Sequence, residues 1–184
     1  DGLLSTYWGG RGFALNPVAT TGRWQGLNAD VATEDLAAAL LPYGVARSSR
    51  DRRFLLWEYY DVPDRPGLIA PGASGMAQGR VVQLMARAYH ITGEARFARA
   101  AGAAMRAFTV PVDRGGVASD VAPGRAVRPW YVERAYPRAS PWRGAALNGF
   151  MVTLLNLERA APFLSSRPRP LATGPRDQRV RPRA

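Results

Sequence analysis

The stretch SGMAQGRVVQLMARAYHITG, residues 74–93, decides the fold. Ala77, Val81, Leu84, Met85, Ala88 and Ile91 recur at the spacing that lines one face of an α-helix. Gly93 stands where a left-handed residue ends such a helix. The next stretch, EARFARAAGAAMRAF (94–108), repeats the pattern with Phe97, Ala101, Ala104, Met105 and Phe108. Two amphipathic helices joined by so short a turn predict an antiparallel helical hairpin.

Working outward, other helical signals appear. NPVATTGRWQGLN (16–28) offers Asn16 as an N-cap and Pro17 at the first helical position. TEDLAAALLPYGVAR (33–47) offers Thr33 as a cap, acids in its first turn, and Leu36, Ala39 and Leu40 on one face. Pro42 bends or ends that helix. GAALNGFMVTLLNLERAAP (144–162) predicts a last helix with Leu147, Phe150, Met151, Leu154 and Leu155 inward. Between the helices, RFLLWEYYDVP (53–63) reads as a strand from Phe54 to Tyr60. VPVDRGGVASDV (110–121) reads as a turn with short strands. The expected fold is mainly α, part of an incomplete α/α toroid with short β segments.

With 184 residues and an ordinary apolar content, one domain with a sizeable core is expected. No apolar run is long enough to span a membrane. The start, DGLLSTYWGG, lacks a basic segment followed by an apolar one, so no signal peptide is expected. It also opens on Asp1, which predicts a lost beginning. Cysteine is absent, which excludes disulfides and thiolate metal sites.

All 25 basic residues are arginine, which reads as the codon usage of a GC-rich, bacterial genome. The formal charge of +11 suggests a polyanion as partner. Much of the excess lies in the tail from Phe163 to Ala184, which holds six Arg and one Asp. This Pro- and Arg-rich segment has too little apolar surface to offset its ordering entropy, so a disordered tail is expected over 163–184. The domain proper is expected over 1–162. Its moderately basic body suits an anionic polysaccharide, because long-range attraction does not distinguish one anion from another.

One segment does not read as plain core or plain loop. PWYVERAYP (129–137) sets Trp130, Tyr131, Glu133, Arg134 and Tyr136 between two prolines. Taken in order, SGMAQG…RAY, DRGGV, WYVERAYP and ALNGF form a set of landmarks, with GFALNPVAT and LLWEYYDVP before them. This ordered set resembles the C-terminal domain of the D-glucuronyl C5-epimerases, over roughly Tyr7 to Pro162. The resemblance implies a cleft in an incomplete α/α toroid and C5-epimerisation of D-glucuronate to L-iduronate residues within a heparan-sulfate-like polysaccharide. It places the catalytic Glu and Tyr on Glu133 and Tyr136, and it implies no cofactor. Two departures accompany it. Arg134 and Ala135 separate a Glu and Tyr that the family has adjacent, and no Tyr follows Tyr136, where the family has a further one. The second departure predicts a chain truncated at its C-terminal end, with little or no turnover.

The chemistry asks for a base and an acid on opposite faces of C5, and for cations or donors that neutralise the neighbouring carboxylate. Tyr131, Asn148, Gln78, Arg80, Arg143 and Tyr59 are the substrate-binding candidates. Each has a plainer reading. Tyr131 and Tyr136 suit edge aromatics covering a core, and Glu133 a surface pair with Arg134 or Arg128. Asn148 suits a helix N-cap, Gln78 a solvated first-turn residue, and Arg80 and Arg143 solvated arginines. One of Tyr59 and Tyr60 is expected in the core. His90 suits a surface or capping place, and Trp8, Trp24 and Trp57 suit the core better than a sugar platform. No metal-ligand spacing, P-loop or Ser-His-Asp signature is present. The alternatives left open are a polysaccharide lyase, which removes the same C5 proton and then expels the C4 substituent, and a catalytically degenerate glycan-binding fragment. A nucleic-acid binder acting through the Arg tail is a weaker rival. The expected partners are a glucuronate-containing polysaccharide and, as an option, a second copy of the chain, with no nucleic acid and no membrane span.

Overall fold

The structure, a computed structural model, describes residues 2–8, 12–27, 30–60, 67–119, 130–138 and 146–166. These residues are mainly helical. Five α-helices are α1 (Pro17–Leu27), α2 (Asp30–Leu40), α3 (Gly75–Thr92), α4 (Ala95–Arg106) and α5 (Leu147–Ser165). Three antiparallel strand pairs accompany them: β1 (Ser5–Trp8) with β2 (Gly12–Leu15), β3 (Val45–Ser49) with β4 (Arg52–Leu56), and β5 (Ala118–Ser119) with β6 (Trp130–Tyr131).

Helix α3 is the centre. Ser74 caps it by accepting from the Ala77 amide, and Gly93 ends it at φ 74°. Val81, Val82, Leu84, Met85, Ala86 and Ala88 are fully buried, and α1, α2, α4 and α5 all pack on it. Each large apolar side chain buried this way contributes about 1.5–3 kcal/mol, so this helix carries much of the core. Helix α4 follows after two residues and buries Phe97, Ala100, Ala101 and Ala104 against it. The expected helical hairpin is therefore present.

Asn16 caps α1 as its position predicts: its Oδ1 accepts from the Ala19 amide at 2.9 Å. Thr33 does not cap α2. That helix begins at Asp30, and Thr33 lies buried inside it, accepting from Trp24 Nε1 at 2.9 Å. A Thr before acids looks like a cap in the sequence, but a buried indole N–H needed an acceptor. Pro42 does end α2, in a tight turn over Leu41–Tyr43. Strand β4 stops at Leu56, short of the expected Tyr60, because its partner begins at Val45, directly opposite. Beyond it Tyr59 pairs instead with Gly72.

The inward face of α5 differs from expectation. Leu147, Met151, Leu154 and Leu155 are exposed, and Gly149, Thr153, Asn156 and Ala160 are buried. Phe150 is half-buried, stacked on Trp130 with ring centroids 4.2 Å apart. The reason is the closeness of α3. A Cβ at Gly79 would come 3.2 Å from the Thr153 carbonyl oxygen, so only small side chains fit this crossing. Asn156 then accepts from Gln25 Nε2, which also reaches Gln83, tying α1, α3 and α5 by polar contacts. Helix α5 continues to Ser165, taking in the first three residues of the expected tail, and residues 167–184 lie outside those described. No described helix is long and apolar enough to cross a membrane.

Candidate functional site

The segment from Trp130 to Arg138 is a strap laid across the N-terminal ends of α3 and α5. The Val132 carbonyl accepts from the Gly75 amide at 2.8 Å, and Ala73 and Ala135 exchange two backbone bonds of 2.8 Å. Val132 and Ala135 face the core, with 0% and 1% exposure. Tyr136 is buried beside Ala135, Trp130 and Tyr131 pack against the core edge, and Arg134 is exposed.

Two glycines receive the strap. The ring of Tyr136 lies against Gly72, where an added Cβ would come 2.7 Å from Cδ1 and Cζ. Glu133 lies against Gly149 in the first turn of α5, where an added Cβ would come 2.9 Å from Glu133 Cβ and 3.0 Å from Oε2. The N-cap of α5, Ala146, offers no side-chain acceptor. The Glu133 carboxylate therefore lies beside an unsupported helix N-terminus, a place that favours negative charge. Tyr136 is nearly buried at 7% exposure, and Glu133 is half-buried.

The remaining candidates fall into three groups. Tyr131 is half-buried in an aromatic cluster, edge-on to Phe108 at 4.9 Å and 5.9 Å from Phe150. Gln78 is not a cleft residue: it is 1% exposed, and its Nε2 donates to the carbonyls of Leu55 (2.7 Å) and Ala104 (3.2 Å). Its Oε1 accepts from the Trp57 amide at 3.4 Å, so the amide ties β4 and α4 to α3. A glutamine in a first turn reads as solvated, but the ends of β4 and α4 leave carbonyls that need a donor. Asn148 is exposed in the first turn of α5 and is not its cap. Glu133 and Tyr136 thus do not face a cleft bounded by Gln78.

Arg80 and Tyr59 meet at the start of α1. Tyr59 Oη accepts from the Val18 amide at 2.9 Å, and Arg80 Nη1 donates to the Val18 carbonyl at 3.2 Å. Arg80 Nε is buried with no acceptor among the described residues. Burial pulls the Arg80 guanidinium below the usual arginine range, with Tyr59 opposing. Arg143 lies outside the described residues, as does the side chain of Trp8. Trp24 and Trp57 are core residues, and His90 contacts Ser166 through Nδ1 at 3.2 Å.

Three charged residues that sequence reasoning passed over gather on the other side of Gly72. A cavity of about 140 Å³ is lined by Arg47, Glu58, Gly72, Ala135, Pro137 and Arg138, among others. Glu58 is buried at 7% exposure and forks onto Arg47, Nε to Oε1 at 2.7 Å and Nη2 to Oε2 at 2.8 Å. Tyr60 Oη donates to the same Oε2 at 2.7 Å. That bond, then burial, then the Glu58 charge raise the Tyr60 phenol above its ordinary value, with Arg47 opposing. A signal for Glu58 existed. Phe54, Leu56 and Glu58 alternate in an extended run, so the carboxylate follows two core side chains on one face.

Among the described residues no cluster of His, Cys, Asp or Glu could hold a metal ion. No curated protein gives a match to the chain. The family model described as D-glucuronyl C5-epimerase C-terminus matches residues 53–171. The match begins after the first two helices, so it leaves out GFALNPVAT and takes in the strap, its two glycines and the whole of α3, α4 and α5. It spans more than half of the 184 residues, and the chain therefore belongs to the D-glucuronyl C5-epimerase C-terminal family.

Proposed function

We propose that the chain acts in C5-epimerisation of D-glucuronate residues within an anionic polysaccharide, with Glu133 and Tyr136 as the proton-transfer groups. What supports this reading is the strap. A family-matched segment carries both residues, and close contact with Gly149 and Gly72 holds each against a helix or loop end. The larger architecture that goes with the reading is an α/α toroid, of which α3, α4 and α5 supply a part.

The reaction takes the proton from C5 on one face and returns a proton to the other, so no net atom is gained or lost. The intermediate carries charge beside an existing carboxylate, and cationic side chains offset it. Glu133, at the first turn of α5, and Tyr136, against Gly72, are the two proton-transfer groups proposed for the two faces. The order of base and acid follows from which face the sugar presents.

Incubation of the chain with a glucuronate polymer in D₂O tests the proposal. Slow incorporation of deuterium at C5, with L-iduronate residues, is expected, since no Tyr follows Tyr136, and Glu133→Gln should reduce that exchange about 10²–10⁴-fold. An unsaturated product absorbing in the ultraviolet would replace the proposal with a lyase reaction. Absence of both products would leave glycan binding without turnover.

A further inference from the structure

We infer that the cavity between Glu58 and Arg138 is a carboxylate subsite, in which Arg47 and Arg138 hold the uronate group of a sugar residue. The inference rests on the proposed glucuronate polymer as substrate and adds the residues that would recognise its charge.

Glu58 is a buried anion. The Glu58 side chain is 5% exposed, and an isolated carboxylate there would be costly. Two guanidinium N–H groups and the Tyr60 hydroxyl satisfy it. This fork does more than neutralise Glu58. It fixes the plane of the Arg47 guanidinium, whose side chain is still 41% exposed. An arginine carries five N–H donors, and the fork engages two of them. Among the described residues no acceptor engages the other three.

Much of the surrounding backbone is already paired. Tyr59 and Gly72 exchange their amide and carbonyl bonds, and Ala73 and Ala135 do the same. The two arginine side chains are the charged donors among the cavity's described lining residues. Its charged lining is Arg47, Arg138 and Glu58. Among the described residues two cations against one anion leave one positive charge, matched to one carboxylate. A volume of about 140 Å³ admits a small group rather than a chain. Gly72 places the cavity beside Tyr136, since it lines the cavity and carries the Tyr136 ring. An ion pair that served only to join β3 to the end of β4 would need neither a cavity nor a second arginine.

The test is calorimetric titration of the full chain at low salt with three probes: a glucuronate oligosaccharide, its carboxyl-reduced counterpart and inorganic phosphate. The oligosaccharide should bind, and the reduced form should bind about ten-fold more weakly or not at all, as loss of a charge-assisted contact requires. Arg138→Gln, at an exposed position, should lose about ten-fold in affinity with an unchanged melting temperature. Arg47→Lys should lose similarly, because a lysine cannot make the fork. Equal binding of the reduced sugar, or wild-type affinity in R138Q, would overturn the inference. Phosphate that binds as tightly as the oligosaccharide and displaces it would also overturn it, by showing an unselective anion site. The C5-exchange assay is independent of this result. Loss of binding in R138Q without any exchange by the wild type would retain the subsite and remove the reaction. Exchange that depends on Glu133 with wild-type binding in R138Q would do the reverse.

Discussion

The Tyr136 ring occupies the space in which a side chain at residue 72 would begin, 2.7 Å from an added Cβ at two of its atoms. Residue 72 also pairs with Tyr59 through both backbone groups, at 2.7 and 3.0 Å, so it cannot retreat. One glycine therefore sets both where the strap lies and how the Tyr136 ring is held.

Gly72→Ala should displace Tyr136. The ring is 7% exposed and has little room to swing, so a stability loss of about 1–3 kcal/mol is expected from overpacking. C5 exchange should fall by more than the folded fraction does. Urea denaturation beside the D₂O assay checks this, and an alanine variant with full stability and full exchange would contradict the contact.

Gln78→Met should cost stability without touching ligand binding by the folded protein. The substitution keeps the shape of the side chain and leaves the carbonyls of Leu55 and Ala104 without their donor. Buried unsatisfied groups cost about 1–3 kcal/mol each. Chemical denaturation gives the first quantity and calorimetry below the transition gives the second. A marked loss of sugar affinity in a stable variant would put Gln78 back in the site.

The orientation of α5 can be tested by a pair of substitutions one residue apart. Leu154→Gln, on an exposed position, should change stability by no more than about 0.5 kcal/mol. Thr153→Leu, at 0% exposure against Gly79, should cost about 1–3 kcal/mol. Denaturant midpoints of the two variants decide the matter, and the opposite ranking would turn the helix around.

The Tyr60–Glu58 bond predicts a pH dependence with a definite sign. The folded-state phenol is raised above the ordinary 10.0, so the folded chain holds that proton more tightly than the unfolded chain. Its contribution to stability is complete below pH 10 and is lost as pH rises through the folded value. An ultraviolet titration of wild type against Tyr60→Phe isolates the group. Glu58→Gln should bring its midpoint back toward the ordinary value, since the Glu58 bond is the largest cause. An unchanged midpoint would mean that burial alone raises it.

Much of the helical framework was legible in the residues themselves. The apolar repeat of α3, its Gly93 stop, the Asn16 cap and the Pro42 stop each depend on a few neighbouring side chains. Local rules sufficed for them because helix propagation and capping are local events. The landmarks from SGMAQG to ALNGF pointed to the family for a related reason: their order is a property of the chain alone. What the tertiary structure decided was which face of each element meets another. The large apolar residues of α5 form a clear stripe, yet that stripe is exposed, because the approach of α3 at Gly79 admits only Thr153, Asn156 and other small or polar groups. Gln78 read as a substrate-binding or solvated residue and Thr33 as a cap, and they became buried partners of carbonyls and an indole that lie far off in sequence or on another helix. The meeting of Arg47, Glu58 and Arg138 around one cavity depends on β4, the Gly72 turn and the strap arriving at one place. No local pattern encodes that meeting, since residues 47 and 138 become neighbours only when strand β3 and the strap both fold beside the Gly72 turn that precedes α3.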